Sequence, residues 1–554
     1  MVIPMSNEIL DKLNTKIKGD IHLDKDSLKK YSRDTSLFEI EPTAIISPKN
    51  VLDIENLVHF VNDNKHDNPE LSLVPRSGGT DMSGGAIGEG LIVDFTENIN
   101  NFEIDVVNKI AKSQPGVFFR DFEKELIKNN LEMPVFPASK NIAAIGGMVA
   151  NNCGGEKSLR YGQIRNFVKK VKVVLSNGKE YEFKKITLDE AKRISENDDF
   201  IGGVYRRIIS LVNENYTKIK EAKPKTTKNS SGYAIWDVYD KSDDSFNLAQ
   251  LFVGSQGTLG VLTEVELELI NIKKHKKLVT VFLSDWDKLP ELVTNVIPTS
   301  PVSLETFDDT TMKLGMRFFP QIAKRVKKTL FEFLLGFWPE ILMGIKLMRM
   351  PKLVVLVEFE EDTKEILDEK IKRVEEILKK TKVVFRTIED HKEAEKYFII
   401  RRESFNLLRK KVGNKRTAPF VDDFCVLPEK LPEFLPKFLA ILKKYGIKAN
   451  IAGHAGSGNL HVIPLMDLKI ESERNKIQPC ADEIYALVIE FGGTITAEHN
   501  DGLMRTPYVK KMFGLEVYGI FEEIKNIFDP NNIFNPGKKV GGSKEYSFSH
   551  MKKD

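Results

Sequence analysis

The glycines of this chain are gathered in four short clusters, and this placement constrains the fold more than any other feature of the sequence. The clusters lie at residues 78–90, 146–162, 254–260 and 453–458. Overall glycine content is ordinary, at 36 of 554 residues, so the clustering reflects position and not composition. Because glycine adopts positive φ and lets a ligand come close to the backbone, we expect these segments to be tight turns or binding loops.

The segments around the clusters predict a mixed α+β scaffold. Residues 71–75 and 91–95 have the pattern of short strands that flank the first cluster, and the apolar spacing of residues 52–63 predicts a helix before them. Further strands are predicted at residues 43–47, 168–175, 353–359 and 383–388, and further helices at residues 363–379 and 431–445. A chain of this length has room for two to four domains.

A change of texture near residue 272 marks the first domain boundary. There the charged run NIKKHKKL is followed by a new strand, VTVFL. We predict one domain over residues 1–272 and a second over residues 273–505, in which helices cover one face of an antiparallel sheet. The polar residues 542–554 are expected to form a flexible tail.

The charge balance argues against nucleic acid as a partner. The 83 Lys and Arg residues nearly cancel the 80 Asp and Glu residues and leave a net charge of +3, so no global field draws the chain to a polyanion. The three cysteines are far apart and form no CxxC pair or four-cysteine set, which indicates a reducing compartment and no iron–sulfur cluster in this chain. The N-terminal residues lack the apolar core of a signal peptide, so we expect a cytoplasmic protein.

One segment has a pattern typical of core helices that also allows contact with a membrane surface or a partner protein. Residues 324–350 join the basic run KRVKK to an apolar stretch rich in Phe and Met, which charged residues and Pro339 interrupt too often for a membrane span. A pair of core helices would explain this pattern, and so would peripheral docking to a membrane or to an electron-accepting partner. Both interpretations stay open, as does the oligomeric state, with a homo-oligomer among the options.

The first glycine cluster has the composition of an anion-binding loop. In PRSGGTDMSGG, residues 75–85, Gly78 and Gly79 are accompanied by Ser77 and Thr80. Such a loop can turn successive backbone N–H groups inward as a nest that holds a pyrophosphate without positively charged side chains. An ordinary hairpin loop is the alternative. The complete Rossmann fingerprint, with its GxGxxG spacing, helix and later acidic residue, is not present.

Three further segments carry a family resemblance. They are FPASKNIAAIGGMVANNCGGEKSLRYG at residues 136–162, KNSSGYAIWD at residues 228–237 and LFVGSQGTLGVLTEVEL at residues 251–267. With PRSGGTDMSGG, they make the chain resemble the FAD-linked oxidases of vanillyl-alcohol-oxidase type, in the branch of D-lactate, glycolate and D-2-hydroxyglutarate dehydrogenases. The resemblance runs from about residue 30 to residue 540 and implies a two-subdomain PCMH-type FAD-binding domain with an α+β substrate cap.

The resemblance also implies which residues bind FAD. The first loop matches the family's diphosphate loop, the second runs along the isoalloxazine and ribityl chain, and the third closes over the adenine end. Residues 524–538, IKNIFDPNNIFNPGK, resemble the closing motif, so residues 506–541 would return to the FAD domain. The implied FAD-binding residues are Arg76, Ser77, Gly78, Gly79, Thr80, Asp81, Pro137, Ser139, Gly146, Gly147, Asn151, Gly254, Gly257, Thr258, Gly260, Val261 and Asn535. Covalent relatives attach the flavin through a histidine in the first loop, where this chain has Thr80 and Asp81, so noncovalent FAD is implied.

Two histidine segments point to a metal site. In NIAGHAGSGNLHVIP, His454 ends one predicted strand and His461 begins the next, so the turn between them brings the two imidazoles together. In GGTITAEHNDGLMRTP, Glu498 precedes His499. Two neutral imidazoles and a carboxylate leave a position open on Zn²⁺ or Mn²⁺, and Fe²⁺ is a further option. The resemblance assigns His454, His461 and Glu498 as ligands, with Zn²⁺ preferred, and His499 as the catalytic base. The commoner family string GEHG is AEHN here, with Asn500 at its end.

A carboxylate substrate requires a cation, and residues 397–431 contain the family's substrate arginine. Alignment on the string RES places it at Arg402, with Arg401 as the alternative if the register shifts by one. Two surface arginines on a helix are the structural alternative. A lysine that some relatives have shortly before the Asp of the next strand is not matched, since Val421 and Asp422 stand there.

The resemblance implies oxidation of a D-2-hydroxy acid to the 2-oxo acid. The metal and Arg402 would hold the carboxylate and hydroxyl, His499 would take the hydroxyl proton, and the C2 hydride would pass to flavin N5. The electrons would leave to an external acceptor, which is a quinone, an electron-transfer flavoprotein, an iron–sulfur subunit or oxygen. The alternatives are a related flavoenzyme for another hydroxyl compound, a noncatalytic flavin subunit of a glycolate-oxidase-like complex, and a metal-dependent hydrolase.

Overall fold

The structure is a computed structural model that describes residues 7–317, 350–390, 393–399, 401 and 415–553. The described chain begins with a sheet whose strands are, in spatial order, Asp20–His22, Ala44–Ser47, Leu91–Asp94 and Leu73–Arg76. The last three strands are parallel, and helix Val51–Lys65 packs its apolar side against this sheet. The predicted strands and helix of this region are confirmed. The first glycine cluster therefore connects two adjacent parallel strands, at the edge of the sheet.

A second sheet follows and is antiparallel throughout its described strands. Its spatial order is Phe102–Asp105, Ile110–Ser113, Val261–Glu268, Val168–Val174 and Glu180–Lys184. Along Val261–Glu268, buried and half-buried residues alternate, as expected for a sheet with one face on the core. The strand Val261–Glu268 starts directly after the third glycine cluster, so both N-terminal sheets end close to glycine-rich loops.

The region after residue 272 forms a separate antiparallel sheet, called here the cap sheet. In the described chain its spatial order is Val384–Ile388, His275–Leu283, Leu353–Glu361, Ser303–Asp308, Ala449–His454, Asn459–Met466 and Arg416–Thr417, with Phe424–Cys425 also paired to Asn459–Met466. Helices Leu289–Val296 and Lys364–Lys380 pack on one face, where the buried residues include Val355 of the sheet and Val374 of the second helix. The α+β character predicted from the sequence is confirmed.

Smaller elements complete the described chain. Short strands pair as Ile186–Thr187, Ser245–Phe246 and Tyr239–Asp240, and as Ile270–Asn271 with Leu131–Glu132. The remaining α-helices are Asn7–Asn14, Lys25–Tyr31, Phe119–Lys128, Ile145–Asn151, Ser158–Tyr161, Leu188–Ser195, Phe200–Glu214, Tyr216–Glu221, Ala249–Phe252, Asp309–Arg317, Leu431–Lys444, Glu471–Arg474, Ile477–Glu490, Gly502–Phe528 and Lys544–Ser549. The helix Gly502–Phe528 is kinked at Gly514, where φ is +78°.

The C-terminal residues return to the N-terminal sheet. Phe534 pairs with Leu73, and the Asn535 N–H donates to the Leu73 carbonyl at 2.8 Å. The polar tail differs from the flexible segment expected, because Lys544–Ser549 forms a helix and the Ser547 hydroxyl donates to the Leu503 carbonyl at 2.7 Å. The N–H of Glu39 also donates to the His550 carbonyl at 2.9 Å. Contacts distant in sequence therefore order a segment whose composition is polar.

Among the helices in the described ranges, none is long and apolar enough to cross a membrane. The basic and aromatic segment at residues 324–350, whose sequence allows membrane or partner docking, lies outside the described residues except for Met350. Its role stays a prediction.

Candidate active site

Three glycine-rich segments meet to form a cleft in the N-terminal half. The N–H of Gly254 donates to the Val149 carbonyl and the N–H of Gln256 donates to the Ala150 carbonyl, each at 2.9 Å. A Cβ on Gly78 would come within 2.6 Å of the Ile142 carbonyl oxygen. The backbone at Gly78 therefore packs at a distance that only glycine permits, and seven of the residues that line the cleft are glycines.

Most residues predicted to bind FAD line this cleft or the pocket beside it. The cleft is lined by Arg76, Ser77, Gly78, Gly79, Thr80, Asp81, Gly146, Gly147, Asn151, Gly257 and Gly260, and the pocket by Pro137 and Ser139. Four others line neither cavity and bond to neighbouring segments instead: Gly254, Thr258, Val261 and Asn535. The Asn535 amide, for example, donates to the carbonyls of Gly85 and Gln256 at 2.8 and 2.7 Å.

The first loop presents free N–H groups to the cleft. Within the described chain, the backbone N–H groups of Ser77, Gly78, Gly79 and Thr80 donate no hydrogen bond. Gly79 has φ at +61°, a left-handed conformation that turns the backbone sharply between its neighbours. Consecutive unpaired donors around such a turn are the features of an anion-binding nest.

Arg76 braces this loop through its side chain. Its guanidinium donates to the carbonyl oxygens of Tyr31 and Ala86 at 3.2 Å and to that of Arg33 at 2.9 Å. Burial lowers the pKa of Arg76, although Asp34 and other anions oppose this shift. Because its terminal nitrogens donate to carbonyl oxygens, Arg76 positions the loop. The backbone N–H groups of the loop are then the groups available to a ligand.

Asp81 links the first loop to the second and third segments. Its carboxylate accepts hydrogen bonds from the N–H of Gly85 at 2.5 Å, from Ser83 and from the Asn151 amide at 3.3 Å. The Gln256 amide donates to the Ser83 hydroxyl at 3.2 Å and to the Asn151 side chain at 3.3 Å. Burial raises the pKa of Asp81 to about 6.

A second pocket adjoins the cleft and reaches the cap sheet. The two cavities share Thr80, Asp81, Gly147 and Asn151 on their walls. The far side of this pocket is lined by Arg401, Asp422, His454, His461, Glu498 and His499. Residues from the N-terminal half and from the cap therefore form one continuous site.

The cap sheet brings the two predicted histidine ligands together. Strands Ala449–His454 and Asn459–Met466 are antiparallel neighbours in which Ala452 is opposite His461. The side chains of His454 and His461 therefore lie on the same face of the sheet, with ring centroids 5.2 Å apart. The short turn over residues 455–458 makes this possible, since Gly458 has φ at +67° and a Cβ there would collide with the Val426 carbonyl at 1.8 Å.

The Nε2 atoms of His454 and His461 and the Oε1 atom of Glu498 face one another in the pocket. His454 Nδ1 is 2.7 Å from Glu305 Oε1, and His461 Nδ1 is 2.9 Å from the Asp422 carbonyl oxygen. Each Nδ1 thus carries the proton in a neutral ring, and each Nε2 has a free lone pair. These Nε2 atoms lie 3.2 and 3.1 Å from the same Glu498 oxygen, Oε1. Two imidazole nitrogens and one carboxylate oxygen that converge in this way form a set suited to a divalent cation.

The electrostatics of this set follow from burial and neighbours. Burial alone would raise the pKa of Glu498, but Lys228 and His454 outweigh it and hold the pKa well below its ordinary value. Burial lowers the pKa of His461. For His454, burial opposes protonation, but the Glu305 carboxylate raises the pKa. The site therefore has an ionised Glu498 next to a neutral His461.

Asp423 also lies near His454, His461 and Glu498, but its carboxylate accepts hydrogen bonds from backbone N–H groups. Ligand atoms of Asp423, His461, Glu498 and His499 lie within 4.8 Å of one another. The Asp423 carboxylate accepts from the N–H groups of Ala497, Glu498 and His499 at 2.7 to 3.0 Å, and from the Thr496 hydroxyl and the Asn459 amide. We interpret Asp423 as the anchor that shapes the loop carrying Glu498 and His499.

His499 faces the pocket and is held by a second carboxylate. Its Nδ1 is 2.9 Å from Asp422 Oδ2, and the other Asp422 oxygen pairs with Arg505. Its ring stacks on His461 at 4.9 Å between centroids. Burial would lower the pKa of His499, but Asp423 and Asp422 raise it to about 9. With Nδ1 engaged by Asp422, Nε2 is the ring nitrogen available to a ligand.

Asn500 explains the departure from the commoner family string. Its φ is +66°, a left-handed conformation that Asn tolerates better than most residues other than Gly. Its amide donates to the carbonyls of Asn151 at 3.2 Å and Gly254 at 2.9 Å. Asn500 thus ties the cap loop to the second and third glycine-rich segments.

The predicted substrate arginine, Arg402, lies outside the described residues. Its neighbour Arg401, the alternative, lines the pocket with its side chain 3% exposed. One terminal nitrogen is 3.3 Å from Glu156 Oε1 and the other is 2.5 Å from Glu305 Oε2. Its Nε is buried and has no acceptor among the described residues.

Sequence reasoning did not single out four further residues of the site. They are Glu305, Lys228, Asp423 and Arg505. Lys228 lies in the segment KNSSGYAIWD, which carried the family resemblance, and so position in a motif could have indicated it. Glu305 is one of two acidic residues in the buried strand Ser303–Asp308, and its role becomes clear only when the strand is seen beside His454.

Comparisons with known proteins agree with this architecture. Residues 272–539 match the family described as FAD linked oxidases, C-terminal domain, and residues 42–184 match an FAD binding domain. The solved structure of p-cresol methylhydroxylase with substrate bound has a TM-score of 0.67 at 16% sequence identity and covers 97% of this chain and 98% of its own. The PCMH-type fold predicted from the sequence is confirmed.

Two curated relatives are similar over nearly the whole chain. D-2-hydroxyglutarate dehydrogenase of Haemophilus influenzae is 26% identical over 94% of this chain and 50% of its own length. Glycolate oxidase subunit GlcD of Bacillus subtilis is 28% identical over 92% of this chain and 91% of its own length. The chain thus spans about half the length of the first relative. With both domain matches in family order, the chain belongs to the FAD-linked oxidase family.

Proposed function

We propose that this chain oxidises a D-2-hydroxy acid to the corresponding 2-oxo acid, with noncovalent FAD in the cleft and a divalent cation, preferably Zn²⁺, in the adjoining pocket. The observation that carries the proposal is the shared wall of the two cavities. Substrate held at the His454, His461 and Glu498 set would lie beside the cleft. The names of the relatives support the same substrate class.

The cleft suits FAD on the chemistry of its wall. The unpaired N–H groups from Ser77 to Thr80 would hold the diphosphate, and the glycine-rich wall at Gly146 and Gly147 admits a flat ring system. Thr80 and Asp81 replace the histidine to which covalent relatives attach the flavin, which supports noncovalent binding. Bound FAD would supply the two-electron acceptor that the side chains of this protein lack.

The pocket suits a divalent metal because two imidazole nitrogens and one carboxylate oxygen converge there. His454, His461 and Glu498 would hold the ion through Nε2, Nε2 and Oε1. Two nitrogens and one oxygen favour Zn²⁺, and Mn²⁺ and Fe²⁺ accept the same ligands. A bound metal would supply a Lewis acid that lowers the pKa of a substrate hydroxyl.

The remaining pocket residues supply anion binding and proton transfer. Arg401 is the described cation of the pocket, and its unpaired Nε is suited to a substrate carboxylate. His499 would accept the hydroxyl proton at Nε2, since Asp422 holds its Nδ1. Asp423 and Asp422 favour the protonated form of His499, whereas a cation bound by His454, His461 and Glu498 would oppose that protonation. His499 is therefore best suited to accept a proton when the metal is bound.

The noncatalytic-subunit alternative is disfavoured by the same ligand set. A protein that only binds flavin has no need of two imidazoles and a carboxylate that converge beside the cleft. A hydrolase would leave the FAD-binding match unexplained. A flavoenzyme for another hydroxyl compound would share the fold, so substrate tests are needed to separate it. The electron acceptor is proposed to be a quinone, an electron-transfer flavoprotein or an iron–sulfur protein.

A substrate panel tests the proposal. The purified FAD-loaded protein is incubated with an artificial electron acceptor and with D- and L-lactate, glycolate and D- and L-2-hydroxyglutarate, and the products are identified by mass spectrometry. We expect a 2-oxo acid from at least one substrate, and only from the D form of a chiral one. If alcohols that lack a carboxylate are oxidised and no 2-hydroxy acid is, the proposed substrate class is wrong.

A further inference from the structure

A buried lysine from the N-terminal half contacts the predicted metal ligands of the cap. The Lys228 side chain is 0% exposed. Its Nζ lies 3.1 Å from Glu498 Oε2 and 3.3 Å from Asn459 Oδ1. Burying a lysine is costly unless its ammonium is paired with an anion. The ion pair with Glu498 satisfies that requirement at the heart of the site.

The two oxygens of Glu498 have different surroundings. Oε1 faces the Nε2 atoms of His454 and His461, whereas Oε2 faces the Lys228 ammonium. Gly154 also packs against Oε2, since a Cβ added there would come within 2.5 Å of that oxygen. Both Lys228 and Gly154 belong to the N-terminal half, and Glu498 belongs to the cap. The N-terminal half thus restricts how a cap ligand can turn.

We infer that Lys228 is a positioning residue that makes Glu498 a one-oxygen ligand. By holding Oε2, the ammonium presents Oε1 alone to the two imidazoles and keeps the carboxylate from chelating an ion through both oxygens. This inference rests on the proposed function, because it concerns the ion proposed there. A carboxylate limited to one oxygen leaves a coordination position open for substrate, as catalytic zinc sites require.

Lysine suits this task better than a neutral residue would. Its ammonium is a compact charge that can donate to Glu498 and Asn459 at the same time. Asn459 in turn donates through its amide to Asp423 Oδ1 and to the Phe424 carbonyl, each at 3.0 Å. The contacts therefore link the ligand, the loop anchor and the cap sheet, as outer partners of metal ligands commonly do.

The zinc K-edge X-ray absorption spectrum of the zinc-loaded, FAD-containing protein tests the inference without reference to activity. In the wild type and in Lys228→Arg, which keeps a cation beside Oε2, we expect the same coordination shell. In Lys228→Met, Glu498 is released, and we expect either about one additional oxygen neighbour from two-oxygen chelation or a zinc affinity at least about 10-fold weaker. Lys228→Gln gives the same comparison if the Met variant does not fold.

A matched control distinguishes the loss of Lys228 next to Glu498 from the loss of any buried lysine. Lys538 is also buried, but its Nζ donates to the Ile87 carbonyl at 2.8 Å, outside the pocket wall. Lys538→Met is expected to leave the zinc spectrum and zinc content unchanged. If Lys228→Met retains both the coordination shell and the zinc affinity of the wild type, the inference is overturned. A wild-type protein that takes up no zinc or other divalent ion overturns the proposed metal site and this inference with it, whereas a normal zinc spectrum without turnover contradicts only the proposed reaction.

Discussion

The FAD-binding cleft and the adjoining pocket are built from different kinds of chemical group. The cleft is lined by seven glycines, among them Gly78 and Gly147, and by apolar side chains, and the arginine that lines it, Arg76, donates to carbonyls instead of facing a ligand. The far side of the pocket is lined by charged and imidazole side chains that pair with one another. The cleft is therefore specified by local backbone shape, and the pocket by side chains that packing brings together from distant segments.

Because the two sites are built differently, we expect that a substitution in one abolishes its own function and leaves ligand binding at the other intact. A change in the pocket alters charge or a donor atom but leaves the backbone cradle intact, so FAD should stay bound. A change in the cleft alters backbone packing, and it should release FAD while His454, His461 and Glu498 keep their places on the cap sheet. Each variant below is therefore measured for activity, FAD content and zinc content.

The largest effect is expected for His499→Ala. Removal of a general base lowers turnover by about 100- to 10,000-fold, and we expect about 1,000-fold here because Asp422 orients the ring toward this task. FAD content should not change. Turnover within a factor of about three of the wild type would contradict the assignment of His499.

Removal of the metal is expected to reduce activity by about 100-fold or more. Dialysis against a chelator should remove the ion proposed to bind at His454, His461 and Glu498, whereas the FAD absorbance should stay in the protein fraction. Added Zn²⁺ or Mn²⁺ should restore activity. Full activity in protein shown by elemental analysis to be metal-free would rule out a metal in the reaction.

Arg401→Met tests which of two adjacent arginines binds the carboxylate. Loss of a charge-assisted hydrogen bond costs about 1.5 to 3 kcal/mol, so we expect KM for the substrate to rise about 10- to 100-fold, with a smaller change in kcat. Arg206→Met, at a surface position whose side chain contacts backbone carbonyls of residues 195 and 197, is the control. A larger KM effect in Arg402→Met than in Arg401→Met would move the role to Arg402.

Gly78→Ala tests the cleft and should give the smallest effect. The added methyl group meets the Ile142 carbonyl at 2.6 Å, so the loop must shift and its N–H groups lose their alignment. We expect an FAD affinity lower by about 10-fold, with normal zinc content. Gly203→Ala, where a Cβ meets nothing within 4 Å, is the matched control and should bind FAD normally. Equal FAD affinity in both variants would contradict the backbone-cradle account.

The sequence predicted the two sites unequally, for a physical reason. The glycine clusters and the string HAGSGNLH determine structure within a few residues of the chain. The cleft loops and the His454–His461 pair could therefore be predicted from residue spacing. Glu305, Asp423 and Lys228 act through contacts more than 30 residues apart in the chain, and no local pattern encodes such contacts. The register of Arg401 and Arg402 was ambiguous because adjacent arginines satisfy the same local pattern.

The C-terminal tail shows that long-range contacts also limit what the sequence predicts about the fold. Its polar composition favours disorder when considered alone, but Ser547 and His550 are held by backbone groups of Leu503 and Glu39. The elements that the sequence predicted, such as Ala44–Ser47 and Lys364–Lys380, have apolar patterns that are local in the chain. Long-range hydrogen bonds decide what happens to segments without such periodicity.

Anaerobic mixing of the FAD-loaded protein with substrate joins the two cavities in one measurement, because the flavin absorbance reports on the cleft and the proposed substrate site lies in the pocket. We expect that a D-2-hydroxy acid bleaches the flavin absorbance, that its L form does not, and that chelator abolishes the bleaching without releasing FAD. Flavin that stays oxidised with every D-2-hydroxy acid, in protein that holds both FAD and metal, would contradict the claim that the two cavities form one active site.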